Sequence, residues 1–230
     1  AFRVMQQARH IGKIVVSLAD MQPNIAQPLQ SAPAIRFEKN STWLVTGGLS
    51  GFGLESARWL AERGVDHLVL AGRRGMDTPG AKEIIKTFAA RGVKVIVQAC
   101  DVTHAAAVDT LIERIGKILP PLKGVLHAAA VFEEQLIPSL DQRNIRNVMD
   151  TKLLGAWHLH QATLGIPLNY FILYSSVTTA IGNPGQANYV AANAGLEGLA
   201  AMRQHMGLPA TCIAWGPVSD VGYLARNEAV

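Results

Sequence analysis

The sequence predicts a doubly wound α/β domain, in which a parallel sheet lies between two layers of helices (α/β/α). From residue 42 onwards, short apolar runs alternate with longer segments of helical spacing, which is the order of elements in such a fold. The apolar runs are continuous rather than alternating, as expected for strands buried on both faces. A glycine-rich segment at 46–53 follows the first run, where folds of this class turn from strand to helix.

The individual elements follow from two patterns. A strand is predicted at each short run of apolar residues, and a helix wherever apolar residues recur every three or four positions. The predicted strands are 43–45, 67–71, 94–99, 124–128, 170–174 and 211–215. The predicted helices are 54–63, 81–90, 104–119, 141–161 and 186–206.

The first forty residues lie outside this alternation. A short helix at 2–8 and a strand at 12–18 are predicted, and 21–40 has three prolines and no clear period, which is typical of a linker. The main domain is therefore predicted at 41–230. The chain lacks an initiator Met and the charged-then-apolar start of a signal peptide, so we expect it to be part of a longer polypeptide.

Composition narrows the function classes. Hydrophobic residues make up 49% and charged residues 17% of the chain, which is typical of a soluble protein with a large core. No apolar stretch is long enough to span a membrane, and the scattered basic residues give no nucleic-acid footprint. Cys100 and Cys212 are the only cysteines, and their apolar surroundings favour reduced, buried thiols in a cytoplasmic protein. We predict no metal site.

The glycine-rich segment favours dinucleotide binding in a Rossmann-like fold. Its glycines have G-x-x-x-G-x-G spacing, which lets the backbone turn sharply and approach a pyrophosphate while the next helix presents its N–H groups. A tight strand-to-helix turn could use the same glycines structurally, but their place between strand and helix favours the nucleotide. The predicted cofactor residues are Gly47, Gly48, Leu49, Ser50, Gly51, Phe52 and Gly53.

The end of the second strand favours NADPH over NADH. An NAD site usually has an acidic residue there for the ribose 2′-OH, whereas this chain has Arg73 and Arg74, which suit a 2′-phosphate. A solvated basic turn is the alternative. After the third strand, Asp101 and Val102 are predicted to lie near the adenine, although Asp101 could equally cap the next helix.

Four residues downstream suit carbonyl reduction. Ser176 ends the fifth strand, Tyr189 follows near the start of a helix, and Asn193 lies one turn further on the same face. Lys152 lies in the preceding long helix. A phenol can protonate a carbonyl oxygen if a nearby ammonium lowers its pKa, while a serine holds the carbonyl and an asparagine positions the lysine or a water. Each residue alone would be unremarkable, but the set downstream of a nucleotide motif is not.

At these motifs the sequence resembles the short-chain dehydrogenase/reductase family, over about residues 42–230. It is most similar to the ketoreductase domains of reducing type I polyketide synthases and animal-type fatty acid synthases. Most short-chain dehydrogenases have Lys four residues after the Tyr, but here that position is Asn193, and Lys152 in the segment 150–152 matches the lysine of the synthase branch. The segment 124–129 resembles that branch too, which implies cofactor contacts at Ala128 and Ala129, and the resemblance also implies them at Lys152 and Tyr189.

The start of the chain also carries a resemblance. Residues 1–16 look like the C-terminal end of a synthase enoylreductase, which implies the order enoylreductase tail (1–20), linker (21–40), ketoreductase (41–230). In that order the structural half of the ketoreductase precedes the enoylreductase, and the resemblance implies a substrate-covering lid near 221–230 that is truncated. Residues 131–134 stand where related domains of one alcohol configuration carry L-D-D, and the acids there lean towards that class.

The resemblance implies an NADPH-dependent reduction of a 3-oxoacyl thioester on the phosphopantetheine arm of an acyl carrier protein. It also implies covalently linked enoylreductase and other synthase domains, and a homodimeric parent. Two alternatives stay open: a free-standing short-chain dehydrogenase acting on a small alcohol or ketone, and a catalytically silent structural fragment.

Overall fold

The computed structural model describes residues 35–217, and these contain one sheet of six parallel strands in the order β3-β2-β1-β4-β5-β6. The doubly wound α/β prediction is therefore confirmed. The strands are β1 (Thr42–Thr46), β2 (His67–Gly72), β3 (Lys94–Ala99), β4 (Leu122–His127), β5 (Tyr170–Ser176) and β6 (Thr211–Trp215). The strand order reverses between β1 and β4, and ligands of such folds bind outside the carboxyl ends of the strands at that point.

Helices cover both faces of the sheet. They are α1 (Gly51–Glu62), α2 (Ala81–Ala89), α3 (Ala105–Ile118), α4 (Gln142–Met149), α5 (Gly155–Ala162), α6 (Thr178–Ile181) and α7 (Ala187–His205). Two cores result. One packs Leu60 of α1 and Phe88 of α2 on one face, and the other packs α3, α5 and α7 on the opposite face. In β1, Leu44 belongs to the second core while its neighbours belong to the first, as the alternation of a strand requires.

The predicted helix 141–161 is wrong in its continuity. Asp141 is the N-cap, accepting a hydrogen bond from the Asn144 backbone N–H at 2.7 Å, and a π-helical turn at Asp150–Leu154 separates α4 from α5. Lys152 lies in that turn. π-helical turns are frequent at functional sites, because the extra residue redirects side chains. Smaller differences occur elsewhere: β4 begins at Leu122 rather than 124, α1 begins at Gly51 rather than 54, and α6 was not predicted.

The last part of the predicted linker packs onto the domain. The ring of Phe37, 8% exposed, contacts those of Trp43, Trp59 and Tyr170 at centroid distances of 4.8, 5.6 and 5.3 Å. The Phe37 N–H also donates to the Arg63 carbonyl at 2.9 Å. The folded unit therefore includes residues before 41. The predictions for residues 1–34 and 218–230, including the enoylreductase-like tail and the lid, lie outside the described residues.

Two further observations concern the described part of the chain. No helix within 35–217 is both long and apolar enough to cross a membrane. Both cysteines are free thiols; Cys100 is buried and Cys212 is half-buried. Burial raises the pKa of each thiol to about 11, so both stay protonated at neutral pH.

Candidate active site

The glycine turn after β1 brings the backbone close to the end of β4. Gly47 has φ +69°, and a Cβ there would lie 2.9 Å from the Ala128 carbonyl group. A Cβ on Gly53, in the first turn of α1, would overlap the Gly47 carbonyl oxygen. Only glycine fits either position, and the resulting cradle at a helix N-terminus suits a pyrophosphate.

Gly48 differs from the other predicted cofactor residues. A Cβ there would lie 2.7 Å from the Val45 carbonyl oxygen and 3.1 Å from Leu70, so the residue packs inward against the sheet. Gly48 lines neither of the two cavities at the switch point, and its predicted contact with the cofactor stays a prediction.

The first of these cavities, of about 780 Å³, extends from the glycine turn over the ends of β2 and β3. Arg73 and Arg74 line it, as predicted. It also contains residues that the sequence reading did not single out, because isolated hydroxyl and amide side chains carry no spacing signal. Those residues include Thr78, Thr103 and Asn147, whereas Leu49, Ser50, Val102 and Ala129, which also line the cavity, were predicted cofactor residues.

Of the two roles considered for Asp101, that of helix cap is wrong, because the N-cap of α3 is His104 and no side-chain hydrogen bond caps that helix. Asp101 lines the first cavity, and its Oδ1 accepts hydrogen bonds from the Thr103 backbone N–H at 3.0 Å and the Thr103 hydroxyl at 2.8 Å. Burial alone would raise the pKa of Asp101, but these hydrogen bonds and the charges of His104 and Arg73 hold it below its ordinary value. A carboxylate is therefore present beside the basic pair at neutral pH.

The second cavity, of about 450 Å³, adjoins the first at Gly47, Ser50 and Ala130. One wall is aromatic. Phe52 and Trp215 stack at a centroid distance of 5.5 Å, and Tyr174 packs edge-on against Trp215 at 5.3 Å. The predicted residues on this side are Gly51, Phe52, Gly53, Ala128, Lys152, Ser176 and Tyr189.

Lys152 is held in the cavity wall with its ammonium out of water. The residue is 3% exposed, Nζ donates to the Tyr174 carbonyl oxygen at 2.9 Å, and Nζ lies 5.0 Å from the centroid of the Tyr189 ring. Burial lowers the pKa of Lys152 to about 8. No carboxylate within the described residues forms an ion pair with it. Buried ionisable side chains with strongly shifted pKa values cluster at functional sites, so Lys152 is a candidate functional residue.

The pKa of Tyr189 is shifted in the direction opposite to that expected. Burial raises it, while hydrogen bonding with the Asn193 and Ser176 side chains opposes the rise. The expected lowering by Lys152 does not dominate because the ammonium lies over the face of the ring and donates to the Tyr174 carbonyl rather than to the phenol oxygen. A protonated phenol is the form that a proton donor needs.

Ser176 and Asn193 flank Tyr189 with unused hydrogen-bonding capacity. Ser176 Oγ accepts from the Thr178 backbone N–H at 3.2 Å and from the Thr178 hydroxyl at 2.9 Å, so its own proton can be donated to the Tyr189 oxygen or to a carbonyl oxygen. Asn193 is fully buried and lines neither cavity; its Nδ2 donates to the Tyr189 carbonyl at 2.9 Å. Its Oδ1 has no partner among the described residues, so it can accept from an ammonium or a water.

The loop after β4 joins the site to α4. Glu133 accepts hydrogen bonds from Asn144 Nδ2 at 2.8 Å and Asn147 Nδ2 at 2.7 Å, and the ring of Phe132 lies 5.0 Å from that of Tyr189. The acid at the L-D-D position therefore holds the loop against α4. The alcohol configuration stays a prediction.

A family model described as KR domain matches residues 41–220. This chain belongs to the KR domain family. The predicted resemblance is thereby confirmed. KR domains are nicotinamide-dependent reductases with a Rossmann-like fold, and the two cavities at the switch point agree with such a cofactor.

Relatives of this KR domain are large multidomain polyketide synthases. The phenolphthiocerol synthesis polyketide synthase type I Pks15/1 of Mycobacterium marinum is 42% identical over 228 residues, which are 99% of this chain and 10% of that protein. Its namesake in Mycobacterium bovis is 44% identical over 217 residues, covering 94% of this chain and 10% of that protein. This KR domain thus spans about a tenth of these relatives.

A solved structure described as "Structure of A-type Ketoreductases from Modular Polyketide Synthase" has the same fold. It aligns with a TM-score of 0.76 and 38% identity, covering 80% of this KR domain and 39% of that chain.

Proposed function

We propose that this KR domain reduces the 3-oxo group of an acyl thioester to the 3-hydroxyacyl thioester within a polyketide synthase. The observation that carries the proposal is the convergence of Tyr189, Ser176 and Lys152 on one cavity that adjoins the glycine turn. A proton donor, a carbonyl-binding hydroxyl and an ammonium thereby face the place where a nicotinamide cofactor would enter.

The roles of the four residues follow from their contacts. When bound, the cofactor supplies a hydride to the carbonyl carbon. The Tyr189 hydroxyl donates a proton to the carbonyl oxygen, and the Ser176 hydroxyl holds that oxygen in place. The Lys152 ammonium stabilises the phenolate that remains, and the free Oδ1 of Asn193 positions the lysine or a water that returns the proton.

The cofactor in this proposal is NADPH. Arg73 and Arg74 are exposed at the end of β2 and line the first cavity, where two guanidiniums would bind a 2′-phosphate. Asp101, whose pKa the charge of Arg73 helps to lower, already accepts two hydrogen bonds from Thr103. We therefore expect the selectivity for NADPH over NADH to depend on the positive charges of Arg73 and Arg74.

The substrate is proposed to arrive on the phosphopantetheine arm of an acyl carrier protein. The relatives' names support a polyketide synthase context for this KR domain. Covalently linked enoylreductase and other synthase domains, a homodimeric parent and a cytoplasmic location complete the proposal.

Substitution of Tyr189 by Phe tests the proposal. The variant keeps the aromatic ring but loses the hydroxyl proton. We expect the rate of NADPH oxidation with a β-ketoacyl thioester to fall at least about 100-fold, which is the typical contribution of general acid catalysis. Tyr170→Phe is the matched control, since Tyr170 lies at the opposite end of β5, and it should keep wild-type activity.

The same assay separates the alternatives. With wild-type protein, NADH should support a much lower rate than NADPH. Full activity of Tyr189→Phe would contradict the assigned role. Binding of NADPH by fluorescence titration without any turnover in the full-length protein would instead indicate a catalytically silent domain.

A further inference from the structure

One buried histidine contacts both halves of the site without lining either cavity. His127 is the last residue of β4 and is 1% exposed. One ring nitrogen, Nδ1, lies 2.7 Å from the Thr46 hydroxyl oxygen, and the other, Nε2, lies 2.9 Å from the backbone carbonyl oxygen of Lys152. Thr46 directly precedes the glycine turn. His127 therefore bridges the start of the nucleotide loop and the reactive lysine.

The partners determine the protonation of the ring. A carbonyl oxygen can only accept, so Nε2 must carry a proton and donate to Lys152. Nδ1 then has a free lone pair and accepts from the Thr46 hydroxyl. A neutral ring meets both requirements, and burial, with the nearby Lys152 charge, lowers the pKa of His127 to about 4. The two hydrogen bonds therefore persist over the ordinary pH range.

Lys152 is thus held at both ends. The tip of its side chain donates to the Tyr174 carbonyl of β5, and its own carbonyl accepts from His127 of β4. The residue lies within the π-helical turn, which lacks the regular hydrogen-bond spacing of the flanking helices. A Cβ on Gly155, just after the turn, would lie 3.3 Å from the His127 ring, so the chain leaves the turn pressed against the imidazole.

We propose that His127 is a positioning residue that sets the place of the Lys152 ammonium by anchoring the Lys152 carbonyl to β4. The inference rests on the proposed reduction by Tyr189 and Lys152. Because the same imidazole also binds the Thr46 hydroxyl, His127 fixes the position of Lys152 relative to the glycine turn that would receive the cofactor. An error of about 1 Å in such a group costs on the order of 100-fold in rate.

Two substitutions separate the two hydrogen bonds. In His127→Gln the amide nitrogen occupies the place of Nε2, so the bond to Lys152 is kept and the bond to Thr46 is lost. In His127→Asn the amide reaches only the place of Nδ1, so the bond to Thr46 is kept and the bond to Lys152 is lost. His160→Asn is the control: it alters another buried histidine, which contacts Arg203 in the second core rather than the site.

The readouts are kcat, the NADPH dissociation constant and the pH profile of the reverse oxidation, measured on the full-length protein. We expect His127→Asn to lower kcat about 10- to 100-fold while the NADPH dissociation constant stays within about twofold. The pH midpoint of the oxidation should move upward, because a displaced ammonium stabilises the phenolate less. His127→Gln should keep kcat within about threefold, and His160→Asn should lose stability only.

Hydrogen exchange of the π-helical turn provides a readout that needs no turnover. Amides of Asp150–Leu154 should exchange faster in His127→Asn than in wild type and unchanged in His127→Gln. Equal loss of kcat in both His127 variants, or unchanged exchange in His127→Asn, would overturn the positioning role. An inactive wild-type protein with the expected exchange pattern would instead refute the proposed function and leave the structural role of His127 established.

Discussion

At the scale of the residue, Lys152 combines a cost to folding with a use in chemistry. Its ammonium is buried against the Tyr189 ring and one backbone carbonyl, and no carboxylate of the described residues compensates the charge. Desolvating a charge without an ionic partner destabilises the folded state. The same isolation makes the ammonium an effective stabiliser of a nearby phenolate.

The pKa of Lys152 leads to a prediction about stability. The pKa of Lys152 is about 8 in the folded protein, whereas the ordinary pKa of a lysine is 10.5. The unfolded chain therefore binds more protons between these two pH values, and the stability of the wild type rises with pH there. Lys152→Met removes the effect. We expect the variant to be more stable than wild type at pH 7 by about 1–3 kcal/mol and nearly equal at pH 10, while its turnover is lost.

Urea denaturation of the purified chain at both pH values measures this difference. Lys82→Met, at an exposed position of α2, is the control and should change stability little. A Lys152→Met variant less stable than wild type at pH 7 would show that the contact with the Tyr174 carbonyl outweighs desolvation.

At the scale of the element, the π-helical turn depends on close packing at its C-terminal end. Gly155 begins α5 directly after the turn, and a Cβ there would lie 2.7 Å from Val102 Cγ2 and 3.1 Å from Val102 Cβ. The absence of a side chain therefore lets α5 approach the loop after β3. Gly198, in the middle of α7, has nothing within 4 Å of its Cβ position.

These two glycines form a matched pair of predictions. Gly155→Ala should destabilise the chain by about 1–3 kcal/mol, because the new methyl group overpacks Val102. Gly198→Ala should stabilise it by about 0.5–1 kcal/mol, because alanine has the higher helix propensity and meets no obstacle. Thermal unfolding of both variants measures the effects. Similar shifts of the midpoint in the same direction would contradict the packing argument.

The helical elements also show what the sequence could and could not predict. Apolar runs locate all six strands. The inner strands β1, β2 and β4 are apolar because they are buried on both faces, whereas the edge strands β3 and β6 contain no fully buried residue. The break in the predicted helix 141–161 has no proline that would reveal it in the sequence. Lys152, within the break, contacts the His127 imidazole on β4 and the Tyr174 carbonyl on β5, both far away along the chain. The spacing of apolar residues within 141–161 carries no information about such long-range contacts.

The candidate site divides in the same way. Ser176, Tyr189 and Asn193 could be predicted since their spacing within one stretch of chain reflects one strand end and one helix face. His127 could not, because a histidine in an apolar strand looks like any core residue. The inward packing of Gly48 could not be predicted either, since the sequence does not tell which glycine of a turn lies against the sheet.

At the scale of the whole molecule, the two cores contain histidines that are neutral in the folded state. His127 has its pKa lowered to about 4, and burial beside Arg203 lowers that of His160. The unfolded chain takes up a proton at His127 near pH 6.5, whereas the folded protein does so only near pH 4, and the pKa of His160 is shifted in the same direction. Stability is therefore full above about pH 6.5 and is lost as the pH falls towards 4.

This linkage predicts an acid-sensitive domain. His127 alone should account for a loss of up to about 3 kcal/mol between pH 6.5 and 4, since one unit of pKa is worth about 1.4 kcal/mol. His127→Gln, which has no titrating ring, should show a shallower decline in urea denaturation over this range. An equal slope in wild type and His127→Gln would refute the assignment.

The uncompensated charge of Lys152 has an evolutionary consequence. On the proposed mechanism, a substitution that removes it would abolish the reaction and would also remove the cost of burying a charge. Variants that keep the fold and lose the activity would therefore accumulate whenever selection on the product is relaxed. The cavities, sheet and helix layers would survive such a change intact. A lineage of synthases can therefore delete one reductive step by a single codon change while its architecture and its neighbours' spacing stay in place.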